Sequence, residues 1–167
     1  MGYLDDNAFS TIKDIQVKEY LETKLHWKCE LIDDPVQQKA GVDMVVHAGS
    51  SVFNVDNKHI RGTYTNFYLE TESCPASHTP GWVLKEDSKT DFVFYIYWDG
   101  DHGTLWAFKL KDIREWFKTN RHKCWRHQND TLNATVGYNA RIVDVHKDIF
   151  CRKIEIGGTN GTEKEAI

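Results

Sequence analysis

The chain has 167 residues, enough for one domain with a substantial core. A hydrophobic content of 40% excludes a disordered chain, and a net charge of −4 excludes a molecule coated in basic surface while leaving room for a local basic groove. Four scattered cysteines without a CxxC pair, a start lacking signal-peptide character and the absence of any long apolar run argue against a disulfide scaffold and a membrane span, and predict a cytoplasmic protein.

In chain order, a helix is predicted from a cap at Ser10 or Thr11 to about Trp27. Its apolar positions are Phe9, Ile12, Val17, Tyr20, Leu21 and Leu25, with Lys13, Lys18, Glu22 and Lys24 solvated. Glu19 lies near the apolar edge. A helical glutamate there suits a metal shell, although a solvated helix face is its commoner role. A short strand at residues 29–32 is ended by Asp33-Asp34-Pro35, and residues 36–41 form a connection.

Residues 41–46 read as a strand with Asp43 near its start. After a turn at residues 49–51, residues 52–58 read as a second strand. Strand side chains alternate, so Asp56 and Lys58 share a face and Asn57 takes the other. If the strands pair, Asp43 joins Asp56 and Lys58. Two carboxylates suit a hard divalent ion, and an ammonium beside them suits a water or a phosphate. Taken singly, each residue has an ordinary role in a turn or a surface ion pair, which is worth little energetically.

Residues 59–66 read as a polar linker, and residues 67–72 as a strand with Tyr68, Glu70 and Glu72 on one face. Residues 73–80 form a loop. The continuous apolar run at residues 90–98 predicts a central strand covered on both faces. A tight turn at residues 99–103, a returning strand at 104–109 and a helix over 110–117 follow. Residues 121–127 are a basic cluster in which Arg121, Lys123 and Arg126 are candidate nucleic-acid contacts. Trp125 is there either to stack on a base or to fill the core. His122, Cys124 and His127 lack the second ligand pair that a zinc site needs. Residues 128–139 read as loop, 141–146 as an edge strand, 148–156 as an undetermined short element, and 157–167 as a frayed tail following a single domain at 1–156.

The ordered set Gln38-Lys-Ala-Gly-Val-Asp43, Asn54-Val-Asp-Asn-Lys58, Phe67-Tyr-Leu-Glu70, Gly81-Trp82 and Lys89-Thr-Asp-Phe92 resembles the PD-(D/E)XK nuclease superfamily, and within it small bacterial and phage members. The resemblance spans residues 20–98. It implies an α/β fold, a central mixed β-sheet flanked by helices with a restriction-endonuclease-like core. It also implies Mg²⁺- or Mn²⁺-dependent hydrolysis of DNA phosphodiester bonds. On this basis Asp43 and Asp56 are metal ligands, Lys58 is the catalytic lysine, and the Asn57 carbonyl and Glu70 complete the shell. Gln38, Glu19 and Glu72 are possible additions; Glu70-Thr71-Glu72 is a rival acidic register. Two positions depart from the family pattern: Val42 stands where proline is common, and Asn57 where close relatives carry glutamate. Many members act as homodimers because two strands must be cut. The alternative is a catalytically inactive module of the same fold that binds nucleic acid or protein; an unrelated metabolic α/β protein is a third reading.

Overall fold

The computed structural model describes residues 3–129 and 134–157; all but the first residue of the expected tail lies outside them. Helix α1 (Tyr3–Lys24) leads into β1 (Lys28–Leu31), a short α2 (Pro35–Lys39), β2 (Met44–Ala48) and β3 (Ser51–Arg61). Next come β4 (Asn66–Cys74), the two-residue β5 (Thr79–Pro80), and the hairpin of β6 (Phe92–Asp99) and β7 (His102–Lys109). Then follow α3 (Leu110–Asn120), β8 (Trp125–Gln128), β9 (Val136–Arg141), α4 (Ile142–Asp148) and β10 (Arg152–Ile156). The fold is mixed α/β. A six-stranded mixed sheet runs β1-β2-β3-β6-β7-β10, and a four-stranded antiparallel sheet runs β5-β4-β9-β8.

The large sheet is built around β6, whose unbroken apolar run is buried from Val93 to Trp98, as its sequence predicts. Alternation divides that strand between two cores. Val93, Tyr95 and Tyr97 join Phe67, Phe108, Ile113 and Phe117 beneath the second sheet and α3. Phe94, Ile96 and Trp98 join Val17, Leu21, Met44 and Leu105 beneath α1. β3 runs parallel to β6, with Asp56 beside Val93 and Lys58 beside Tyr95. Asp56 and Lys58 therefore face the second sheet, and Asn57 and His59 face α1.

Several expectations need correction. α1 begins before Ser10, and its inner row is Phe9, Lys13, Val17 and Leu21, spaced by four residues. Ile12 is 57% exposed and Lys13 only 5% exposed, the reverse of the expected faces. The Lys13 ammonium sits 4.2 Å from the Trp98 ring centroid and donates to the Gly100 carbonyl at 2.9 Å, so its charge is satisfied beneath the helix. The connection before Asp43 contains a helix, because Asp34 caps it by accepting the Val36 N–H at 2.9 Å and Pro35 starts it. The supposed linker at residues 59–66 begins as strand, since β3 continues to Arg61 along β6. Residues 136–139, expected as the end of a loop, belong to β9, which fills the gap between β4 and β8. Of the edge strand expected at residues 141–146, only Arg141 is in a strand; residues 142–146 belong to helix α4. Ile142 and Val145, three apart, both bury, and Arg141 pairs with Asp144 at 2.7 Å.

Candidate active site

β2 and β3 pair from Ala48–Ser51 down to Met44–Val55 and then part. Asp43 sits at the fork. Its N–H donates to the Val55 carbonyl at 2.9 Å, and its own carbonyl accepts the Ile32 N–H at 2.8 Å. Its side chain then replaces the missing strand: carboxylate Oδ2 accepts the Asn57 N–H at 2.8 Å. Gly41, two residues earlier, has φ of +81°, and a Cβ there would lie 2.7 Å from the Thr90 hydroxyl. Only glycine makes this approach without displacing the loop.

Beyond the fork, β3 presents Asp56 and Lys58 on one face, as alternation predicts. Their charged groups are 2.7 Å apart, and Asp56 is 5% exposed. β4 brings Glu70 to the same cleft, which has a volume of about 890 Å³. Asp43, Asp56, Lys58 and Glu70 thus converge, and Gln38 joins the wall. Burial, reinforced by the neighbouring Asp56 charge, pushes the Asp43 carboxyl up to about 7. Burial likewise raises Glu70, against the pull of Lys58. For Lys58, burial favours loss of the proton, but Asp56 and Asp43 outweigh it and its net shift is upward, so it stays an ammonium. Lys58 is the cation that offsets the repulsion among Asp43, Asp56 and Glu70, and Lys39 and Lys85 also line the cleft.

The other candidates are distributed differently. Gln38 donates its amide to the Ile32 carbonyl at 2.8 Å, which ties α2 to the end of β1. Glu19 is exposed on α1 and does not line the cleft. Neither does Glu72, because the pairing of β4 with β9 shifts between Glu70 and Glu72 and breaks their common register. Arg121 and Lys123, in the turn after α3, and Arg126 on β8 are exposed and outside the cleft. Trp125 is 49% exposed, so it is not a core residue. Among the described residues, no group of three or more His, Cys, Asp and Glu side chains is arranged to hold a metal, His122, Cys124 and His127 included.

The cleft also contains residues that sequence reasoning missed. Asp14 of α1 lines it, with Asn57 and His59. Asp14 Oδ1 accepts the Asn57 amide at 2.7 Å and lies 2.8 Å from His59 Nε2. Trp98 Nε1 donates to His59 Nδ1 at 3.0 Å. An indole N–H only donates. His59 Nδ1 must therefore be the acceptor, Nε2 carries the proton, and Nε2 donates to Asp14. Extending the alternation of β3 by one more step would have put His59 beside Asn57. Nothing local pointed to Asp14, which is 45 residues away from His59 in the chain. No family model, curated protein or solved structure matches the chain, so any role must be argued from the chemistry of this cleft.

Proposed function

We propose that this chain is a metal-dependent nuclease that hydrolyses DNA phosphodiester bonds, with Asp43, Asp56 and Lys58 as its catalytic group and a restriction-endonuclease-like core around them. The observation that carries the reading is the strand fork. Two acidic side chains and a lysine, far from sufficient as a motif, are brought together in a cleft at the point where β2 leaves β3. The α1 helix, the β2–β3 hairpin and the crossover to a parallel β6 support the same reading.

The donor set fits Mg²⁺ or Mn²⁺. Mg²⁺ is commonly held by one or two carboxylates, with water and phosphate completing its shell, so a third protein carboxylate is not required. The upward push on Asp43 records two carboxylates crowded into a buried space, which a divalent cation relieves. Asp43 and Asp56 would hold the ion, with the Asn57 carbonyl as a further oxygen; Glu70 lines the same cleft without forming a three-carboxylate group with them. When bound, it would lower the pKa of a water and polarise the phosphate. Asp56 keeps the Lys58 ammonium oriented, and the remaining Lys58 protons are available to a water or a phosphate oxygen. Asp43 binds a cation only after losing its proton, which links metal uptake to proton release.

The protein is not predicted to act at a membrane through a spanning helix: no helix of the described residues is long and apolar enough to cross one. A dimer would bring two clefts to opposite strands of a duplex. The test is plasmid nicking with Mg²⁺, with Mn²⁺ and with EDTA. Conversion of supercoiled to open-circular DNA only with metal is the expected result. DNA binding without conversion in either metal would favour the inactive module.

A further inference from the structure

The second sheet carries an outer face that continues out of the cleft, and its pairing fixes which side chains share it. Trp125, Asn139 and Tyr68 form one row across β8, β9 and β4, and His127, Gly137 and Glu70 form the next. Directly paired residues project to the same side of a sheet. This face therefore runs from Glu70, in the cleft, to Trp125 on an edge strand. The reverse face is buried through Phe67, Leu69 and Ala140.

Gly137 keeps the surface between them low. A Cβ there would come within 2.7 Å of the Tyr68 ring. Without one, Tyr68 meets His127 edge-on, with ring centroids 6.1 Å apart, and its hydroxyl donates to the Thr135 carbonyl at 3.0 Å. Trp125 ends the row 49% exposed. Around it, residues 121–127 read Arg-His-Lys-Cys-Trp-Arg-His, without a carboxylate, in a chain whose net charge is −4. Arg121, Lys123 and Arg126 are all exposed. An exposed indole on an edge strand whose reverse side carries Arg126, paired with Tyr138, and Arg121, over the Tyr138 ring, leading to an acidic cleft about two strand spacings (roughly 10 Å) away, fits a polyanion that offers aromatic faces and wraps the edge of the sheet. Unpaired nucleotides do both. In a duplex the base faces are already stacked on one another.

We propose that the outer face of β8, β9 and β4, with Trp125 as its stacking residue, binds the single-stranded stretch of nucleic acid flanking the phosphate in the Asp43–Asp56–Lys58 cleft. The proposal rests on the nuclease reading above, but its test does not depend on cleavage. Fluorescence anisotropy with a labelled oligothymidylate, in EDTA, gives the affinity of the full-length protein. Trp125→Ala is expected to raise Kd about five-fold or more, which is the weak end of base stacking, and Trp125→Phe to recover most of the loss. The affinity for a duplex of the same length should be unchanged in both variants. Circular dichroism checks that each is folded, as expected for a half-exposed position. An unchanged oligothymidylate Kd in Trp125→Ala, an equal loss on the duplex, or no binding by the wild-type protein overturns the proposal. Nicking that persists with an unchanged Kd removes the platform and leaves the nuclease; Trp125-dependent binding without nicking leaves the platform and removes the nuclease.

Discussion

The two faces of β3 carry polar groups at neighbouring positions, yet they are in opposite electrostatic condition. On the α1 side, Asp14 Oδ1 receives two donors, His59 is bonded at both nitrogens, and the chain ends on Trp98. One exception is Asn57 Oδ1, which is buried without a hydrogen-bond partner. On the other side, Asp43 and Asp56 crowd one another, Glu70 stands near, and Lys58 is the ammonium among them. A satisfied buried network holds elements together and specifies how they pack. Carboxyl groups whose proton affinity is raised by burial and by one another, beside a cleft, mark a candidate functional site. The difference separates scaffold from candidate site on a single strand.

The largest expected effect comes from the crowded acidic side. Asp56→Ala and Lys58→Ala should each lower the nicking rate by about 10²-fold or more, as loss of a group acting on transition-state charge does. Circular dichroism should show that each variant is folded, with a thermal midpoint below that of the wild type because the other member of the buried ion pair loses its partner. Nicking by either variant at the wild-type rate would end the assignment of the fork as the catalytic centre.

Asp43→Asn should separate function from stability. The folded pKa of Asp43 is raised to about 7 from 3.8, so between these values the folded protein holds a proton that the unfolded chain has released. Stability therefore declines as pH rises from about 4 to 7 and stays at the lower level above that. Asparagine keeps the acceptor for the Asn57 N–H without the charge. The variant should be inactive, yet more stable than wild type by about 1–2 kcal/mol at pH 8, with the gap closing towards pH 5. Urea unfolding at the two pH values measures it. Mg²⁺ at pH 8 should raise the thermal midpoint of the wild type and raise that of the variant less.

This pair of faces also shows what was legible from residues alone. The alternation of residues 52–58 correctly put Asp56 with Lys58 and Asn57 opposite, because period two is a local property of extended chain. The continuous apolar run at residues 90–98 announced the central strand for a different reason: a strand covered on both faces is apolar at successive positions. The face of Lys13 was misread, since its satisfaction comes from Trp98 and Gly100, far along the chain. Asp14 was overlooked because its partners lie on β3, and Glu72 was grouped with Glu70 because a bulge leaves no composition signal. Residues 141–146 read as strand because Ile-Val-Asp-Val fits β-propensity, while the packing of Ile142 and Val145 decides for helix from Ile142.

On the satisfied face, His59→Ala leaves the Trp98 N–H and an Asp14 oxygen each short of a partner. A loss of about 1–3 kcal/mol in urea unfolding is expected, with nicking reduced far less than in Asp56→Ala. Trp98→Phe should cost a similar amount. The double variant should fall short of the sum, because both changes break one hydrogen-bonded chain. Strict additivity would mean that the Trp98–His59 bond contributes nothing.

The smallest effects belong to the basic cluster. Arg121, Lys123 and Arg126 are exposed, so neutralising them should leave folding unchanged within about 0.5 kcal/mol. If each meets a phosphate, a glutamine at that position weakens binding to all sequences alike and lowers the slope of log K against log salt by about one. Arg121 is the informative member. Its guanidinium lies over the Tyr138 ring, 4.4 Å from the centroid, and donates to the Tyr138 hydroxyl. That tether pre-orders the side chain at the root of β8, but it also spends part of the hydrogen-bonding fork on the protein. Lys123→Gln and Arg126→Gln should therefore each change the salt slope, whereas Arg121→Gln should lower affinity with a smaller change in slope. Equal slopes for all three variants would assign Arg121 a direct phosphate contact, and an unchanged slope throughout would place the nucleic acid elsewhere on the molecule.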